Sequence, residues 1–81
     1  MSISILIADD HEILRSGLRS LLSENAEFEI IAEASDGREA LTKAKELKPD
    51  VIVMDISMPG MDGMEATRQI LEDEKAIKII A

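Results

Sequence analysis

Four short apolar runs, each followed by a polar break, limit what this chain can become. They are Ile3–Ala8, Phe28–Ala34, Val51–Met54 and the closing AIKIIA, Ala76–Ala81. Between them lie three segments whose apolar residues recur every three or four positions, as on one face of an α-helix. Ile13, Leu14, Gly17, Leu18, Leu21 and Leu22 mark the first helix, which closes near Asn25. Ala40, Leu41, Ala44 and Leu47 mark the second, and Met64, Thr67, Ile70 and Leu71 the third, which runs to about Glu72. Strands alternating with helices form right-handed crossovers and a parallel sheet with helices on both faces. The expected fold class is therefore α/β, with a doubly wound parallel sheet.

Local signals agree with this order. Asp36 followed by Glu39 resembles a capping box at the second helix, and Pro49 stops that helix. Lys43, Lys45 and Lys48 lie toward its negative end. Asp62 and Glu65 offer a similar cap for the third helix. Phe28, Ile30, Ala32 and Ala34 alternate with Glu29, Ile31 and Glu33, as expected of an edge strand with one wetter face. The single aromatic residue is Phe28, so the core must be aliphatic.

The 81 residues amount to one small domain at most. Seventeen acids against nine bases give a net charge of −8, which repels nucleic acid and anionic membranes and favours cationic partners. No cysteine is present, excluding disulfides and thiolate metal sites and fitting a reducing, cytoplasmic setting. The opening apolar run ends after six residues at an acid pair, too short for a signal peptide or a membrane span.

The chemistry gathers where strands end. Asp9 and Asp10 follow the first run and Asp55 follows the third, leading into a loop with Pro59, Gly60 and Gly63. Ligand sites of open parallel sheets lie beyond the carboxyl ends of the strands, where the strand order reverses. In the flavodoxin-like order, 2-1-3-4 for the strands present here, the first and third strands are neighbours, so three carboxylates would meet. Like charges at such distances force protonation or recruit a cation. Mg²⁺ suits carboxylate and carbonyl oxygens with retained water, and it would let a carboxylate attack a phosphoryl group. Asp10 could instead cap the first helix, and Asp55 could be an ordinary polar strand exit. His11, the only histidine, is expected as an exposed first-turn side chain, and Met54 as a core filler.

ILIADDH at the first strand, DGREAL at the second helix and PDVIVMDISMPGMDGMEA around the third strand resemble the receiver domains of two-component response regulators. The wording is most similar to NarL/FixJ-type transcriptional regulators, and the likeness extends over essentially the whole chain. By that resemblance Asp55 is the phosphoacceptor for a sensor histidine kinase. Asp10 binds Mg²⁺ directly, Asp9 through water and Ser57 through its backbone carbonyl, and the module signals rather than turning over substrate. The family often has Asn where this chain has Ser57. The resemblance further implies a fifth strand, two more helices and a C-terminal DNA-binding domain beyond Ala81, so 1–81 reads as a partial receiver that meets DNA only through that missing domain. A metal-dependent phosphatase and an interaction fragment without phosphate are the alternatives; the first is disfavoured by Ser57, which stands where haloacid-dehalogenase-like phosphatases carry an acid.

Ending at a fourth strand leaves Ile77, Ile79 and Ile80 on an open edge, which invites pairing or swapping with a second chain. The 81-residue polypeptide alone is expected to associate or to order only in part; sedimentation velocity checks this, and a compact monomer that unfolds cooperatively would contradict it.

Overall fold

The computed structural model of the chain describes residues 2–55, 63–73 and 76–80. Its elements are β1 (Ile3–Ala8), α1 (Glu12–Ser23), β2 (Phe28–Ala34), α2 (Gly37–Leu47), β3 (Val51–Met54), α3 (Gly63–Asp73) and β4 (Lys78–Ile80). The four strands form one parallel sheet in the order β2-β1-β3-β4. The expected doubly wound arrangement and its strand order are both present, with β2 at an edge.

Side chains alternate across a strand, and laterally paired residues of a parallel sheet share a face. One face carries Leu6 and Ala8 of β1, Ala34 of β2 and Ile52 and Met54 of β3. These pack with Ala40 and Ala44 of α2, Ala66 and Ile70 of α3, and Ile77. The helical residues next to the sheet are mostly alanines four apart, which lets α2 and α3 approach closely. Leu47 and Leu71, expected inside, are 48% and 44% exposed, because the Ala40–Ala44 and Ala66–Ile70 stripes take the seats against the sheet.

The other face holds Ile5 and Ile7, both buried, and α1 crosses it over β1 and β2. None of the residues of α1 is fully buried. Leu18 and Leu22 are half-buried, whereas Ile13, Leu14 and Leu21 are 89%, 53% and 66% exposed. The helix is amphipathic as expected, but its apolar arc is wider than the sheet beneath it can cover.

The strict alternation expected of β2 does not hold. Ile5 pairs with Ile30 but Leu6 pairs with Ala32, so Ile31 is an unpaired extra residue. Such a bulge exchanges the faces of everything after it. Phe28 and Ile30 share the α1 face with Ile3 and Ile5, while Ala32 and Ala34 turn into the opposite core. Glu33, paired with Ile7, is thereby brought under α1.

Several ends are secured by local hydrogen bonds. Asp36 caps α2, accepting from the Glu39 N–H at 2.7 Å. The Glu39 carboxylate returns to the Ser35 N–H at 2.7 Å, one residue earlier than in a standard capping box. Lys48 closes the helix in the left-handed conformation (φ 47°) before the buried Pro49. Lys43 does not lie along the helix end; its ammonium bonds the Glu33 carbonyl and pairs with Glu39 at 3.2 Å. The Asp62 cap expected for α3 lies outside the described residues. At the fourth strand Ile77 is buried and Ile79 packs against the core, so of the three isoleucines expected on the edge only Ile80, 57% exposed, stands out to solvent.

At the amino-terminal ends of β1 and β3, Ser4 and Asp50 bond reciprocally. Asp50 Oδ2 accepts from the Ser4 N–H at 2.9 Å and from its hydroxyl at 3.1 Å, and the Asp50 N–H donates to Ser4 Oγ at 2.9 Å. The clamp sets the β1–β3 register at the end opposite the acids. Asp50→Ala removes the two bonds to Oδ2 and leaves the backbone N–H bond to Ser4, with an expected loss of about 1 kcal/mol of stability, read as a lower urea midpoint with an unchanged slope.

Candidate functional site

Ala8 and Met54 are the last paired residues of β1 and β3, so Asp9 and Asp55 leave the sheet side by side. The Asp55 N–H donates to the Ala8 carbonyl and the Asp9 N–H to the Ala34 carbonyl, each at 2.9 Å, extending the ladders one residue past the strands. Both acids are thus fixed by backbone bonds made before any side-chain contact. Asp10 follows in the turn to α1, and His11 is that helix's N-cap residue. The alternative role considered for Asp10, capping α1, is not adopted: α1 has no side-chain cap bond.

The expected convergence of Asp9, Asp10 and Asp55 is present, and His11 joins it. One ligand atom from each of the four residues lies within 4.8 Å of the others. Asp9 is buried, at 4% exposure. The side chains of Asp10 and Asp55 are 30% and 21% exposed. Ser57, the remaining metal ligand implied by the family resemblance, lies outside the described residues, as do Pro59 and Gly60.

His11 is exposed, as expected, but its ring turns back onto the acids. Its Nδ1 lies 2.9 Å from Asp9 Oδ1, 3.0 Å from Asp10 Oδ1 and 3.7 Å from Asp55 Oδ2. Its N–H also donates to Asp9 Oδ1 at 2.8 Å. The hydrogen bond to Asp9, reinforced by the charge of Asp10, holds the imidazole pKa above its ordinary 6.5. Oxygen donors on three converging carboxylates, one wall buried and the rest reachable by water, could hold a hard divalent cation. Beside them a groove of about 380 Å³ runs between α1 and the sheet, with Leu14, Leu18 and Val53 on its apolar side and Asp9, His11 and Asp55 at its polar end.

A second layer was missed in the sequence. Arg15 donates Nε–H to Glu33 Oε1 at 2.9 Å and Nη1–H to the Asp9 carbonyl at 2.6 Å. Arg19 donates Nη1–H to Glu33 Oε2 at 2.6 Å. A legible signal did exist: Arg15 shares a helical stripe with Leu18 and Leu22, and a cation facing a sheet needs an acid beneath it. The alternation of β2, read without its bulge, placed Glu33 with the wetter residues and hid that partner. Burial alone would raise the Glu33 pKa, but its hydrogen bonds to Arg15 and Arg19 outweigh this and hold it below the ordinary 4.5.

Residues 5–81 match the family model of the response regulator receiver domain. The chain is 49% identical over 80 residues to the response regulator protein VraR of Staphylococcus aureus, covering 99% of this chain and 38% of that protein. It therefore spans a little over a third of the length of the curated relatives it matches. Among solved structures it is similar to a LuxR-family two-component response regulator from Aurantimonas sp. (TM-score 0.91, 39% identity, 98% of this chain and 56% of that one). It is also similar to a CheX–CheY–BeF3–Mg complex from Borrelia burgdorferi (TM-score 0.89, 33% identity, 95% and 58%).

The Glu33 pairing has a pH signature. A carboxyl with a lowered folded-state pKa contributes stability that is complete above its unfolded value, near 4.5, and is lost as pH falls through the folded value. Glu33→Gln should therefore cost roughly 0.5–1 kcal/mol at pH 7, and the difference from wild type should shrink as pH falls below the ordinary 4.5, in denaturant titrations over a series of falling pH values.

Proposed function

The chain belongs to the response regulator receiver domain family, and from that premise we propose that it is a switch thrown by phosphorylation of Asp55. The phosphoryl donor is a sensor histidine kinase, the reaction depends on Mg²⁺, and the module is the receiver portion of a longer, cytoplasmic transcriptional regulator whose remaining segments bind DNA. The observation that carries this reading is the meeting of Asp9, Asp10 and Asp55 at the carboxyl ends of neighbouring parallel strands.

In the proposed step an Asp55 carboxylate oxygen attacks phosphorus. The new O–P bond forms as the donor's N–P bond breaks, and the imidazole leaving group keeps the electron pair. Mg²⁺ held by Asp9, Asp10, Asp55 and the Ser57 carbonyl would offset the charge on the phosphoryl oxygens. Asp55 is suited to the attack because its backbone is tied to Ala8 while its side chain remains part-exposed at the mouth of the groove. Asp9, buried and tied to Ala34, supplies a fixed negative wall. The oxygen-rich donor set supports Mg²⁺ over a softer metal, and the BeF3 and Mg named for the Borrelia complex are consistent with that choice. Two positions after Asp55 the chain has Ser57, with no carboxylic acid to protonate a leaving group, so hydrolytic turnover is not the favoured chemistry.

The switch reading is joined to a surface. The exposed Ile80 on β4, at the edge of the sheet, supports self-association through that edge in a chain of these residues alone. Among the described residues no helix is long and apolar enough to cross a membrane.

Asp55→Asn is expected to abolish labelling by a small acyl phosphate in the presence of Mg²⁺, followed by intact-protein mass. Asp10→Asn should weaken Mg²⁺ binding about tenfold or more, as loss of a metal-site residue typically does. Retained label in the first variant would remove Asp55 from its role.

A further inference from the structure

We propose that Arg15, braced by Glu33, is a positioning residue for the acid cluster: it fixes the Asp9–Asp10 peptide so that both carboxylates face one cation. The inference rests on the reading of the cluster as a cation-dependent phosphorylation centre and adds a residue to it.

The argument starts from the backbone. At the end of β1 the Asp9 N–H still finds Ala34, but the pairing of β1 with β2 ends at Ala8 and Ala34, so the Asp9 carbonyl has no further strand residue opposite it. Asp9 is buried, and a buried carbonyl needs a donor. The Arg15 guanidinium supplies it at 2.6 Å. That bond holds the plane of the peptide joining Asp9 to Asp10, and the plane's orientation sets where Asp10 departs and where the His11 N–H points. The His11 N–H in turn donates to Asp9 Oδ1 at 2.8 Å, which holds the carboxylate itself.

The guanidinium is fixed from behind. Glu33 Oε1 accepts its Nε–H, while Glu33 Oε2 is occupied by Arg19. The Arg15 and Glu33 side chains are only 18% and 26% exposed, and the planar fork of Arg is needed to reach both acceptors at once. Lysine has the charge without the fork. The bulge at Ile31 is part of the device, since it turns Glu33 to the α1 face.

The test uses the full-length protein carrying this receiver and reads Mg²⁺ affinity from amide chemical shifts, together with metal-free hydrogen exchange. Arg15→Met and Arg15→Lys are both expected to weaken Mg²⁺ binding five- to tenfold and to speed exchange of the His11 amide relative to the Asp9 amide, whose bond to Ala34 is untouched. A merely structural role would move the two amides together. Glu33→Ala should behave like Arg15→Met. Glu33→Gln keeps an acceptor oxygen for Arg15, and should retain Mg²⁺ affinity within twofold despite its lower stability.

Wild-type affinity in Arg15→Lys would overturn the proposal in favour of simple charge. Wild-type affinity and exchange in Arg15→Met would overturn it outright, leaving the phosphorylation reading intact. Absence of Mg²⁺ binding by the unsubstituted protein at millimolar concentration would sink both.

Discussion

The parallel register of β1 and β3 is the constraint on which the site depends. Asp9 and Asp55 are 46 residues apart in sequence and carry like charge, so their carboxylates do not draw each other together. Backbone hydrogen bonding does it. Ile5 to Ala8 pair with Val51 to Met54 without a slip, and Leu6, Ile7, Ile52 and Met54 are each no more than 1% exposed. A shift of one residue would turn Leu6 and Ile52 toward the wrong helices, so the hydrophobic pattern locks the register. The Ser4–Asp50 bonds secure it at the other end. Burial of aliphatic surface thereby holds carboxylates against their mutual repulsion, and the tension is kept at the strand ends, where water or a cation can relieve it.

The two faces of the sheet serve different ends. Beneath α2 and α3 the core is continuous and mostly built from small and branched aliphatics. Under α1 the seating is partial, with exposed apolar side chains flanking a groove that opens on Asp55. On the proposed reading the site must be approachable by a phosphoryl donor, and the loosely covered face leaves that approach open while the tightly packed one provides the rigidity.

What could be read in the sequence followed from periodicity and from Asp. The extents of β1, β2 and β3 were legible because each is an apolar run bounded by polar or turn residues. The pairing of Asp9 with Asp55 was legible once the strand order was borrowed from folds of the same class. The inner faces of the helices were less so. On α2 the reading of Ala40, Leu41 and Ala44 held and only Leu47 did not; on α3 hydropathy alone favours Leu71 over Ala66, whereas close helix–sheet packing selects the smaller residue. The bulge at Ile31 was invisible, since Phe28, Ile30, Ala32 and Ala34 satisfy an unbroken alternation equally well; only the pairing with β1 reveals the extra residue. From that one hidden residue followed the missed contact between Glu33 and Arg15.

The placement of that arginine bears on the charge balance of the site. The Arg15 guanidinium borders the cluster, yet it donates to the Asp9 carbonyl and to Glu33, and no ion pair between it and the three aspartates is formed among the described residues. Had it paired with the Asp9 carboxylate, a permanent cation would have quenched the charge that attracts a divalent ion, and would have left a weaker acceptor for a metal. Bonded to the backbone, it orients the carboxylates on the proposed reading without itself neutralising them. His11, whose pKa the acids raise, is an ionisable partner within reach, and its ring is exposed. An arginine bonded to the backbone and an exposed imidazole resting on the carboxylates are what the proposed centre needs if it is to hold its shape before a metal arrives and give way when it does.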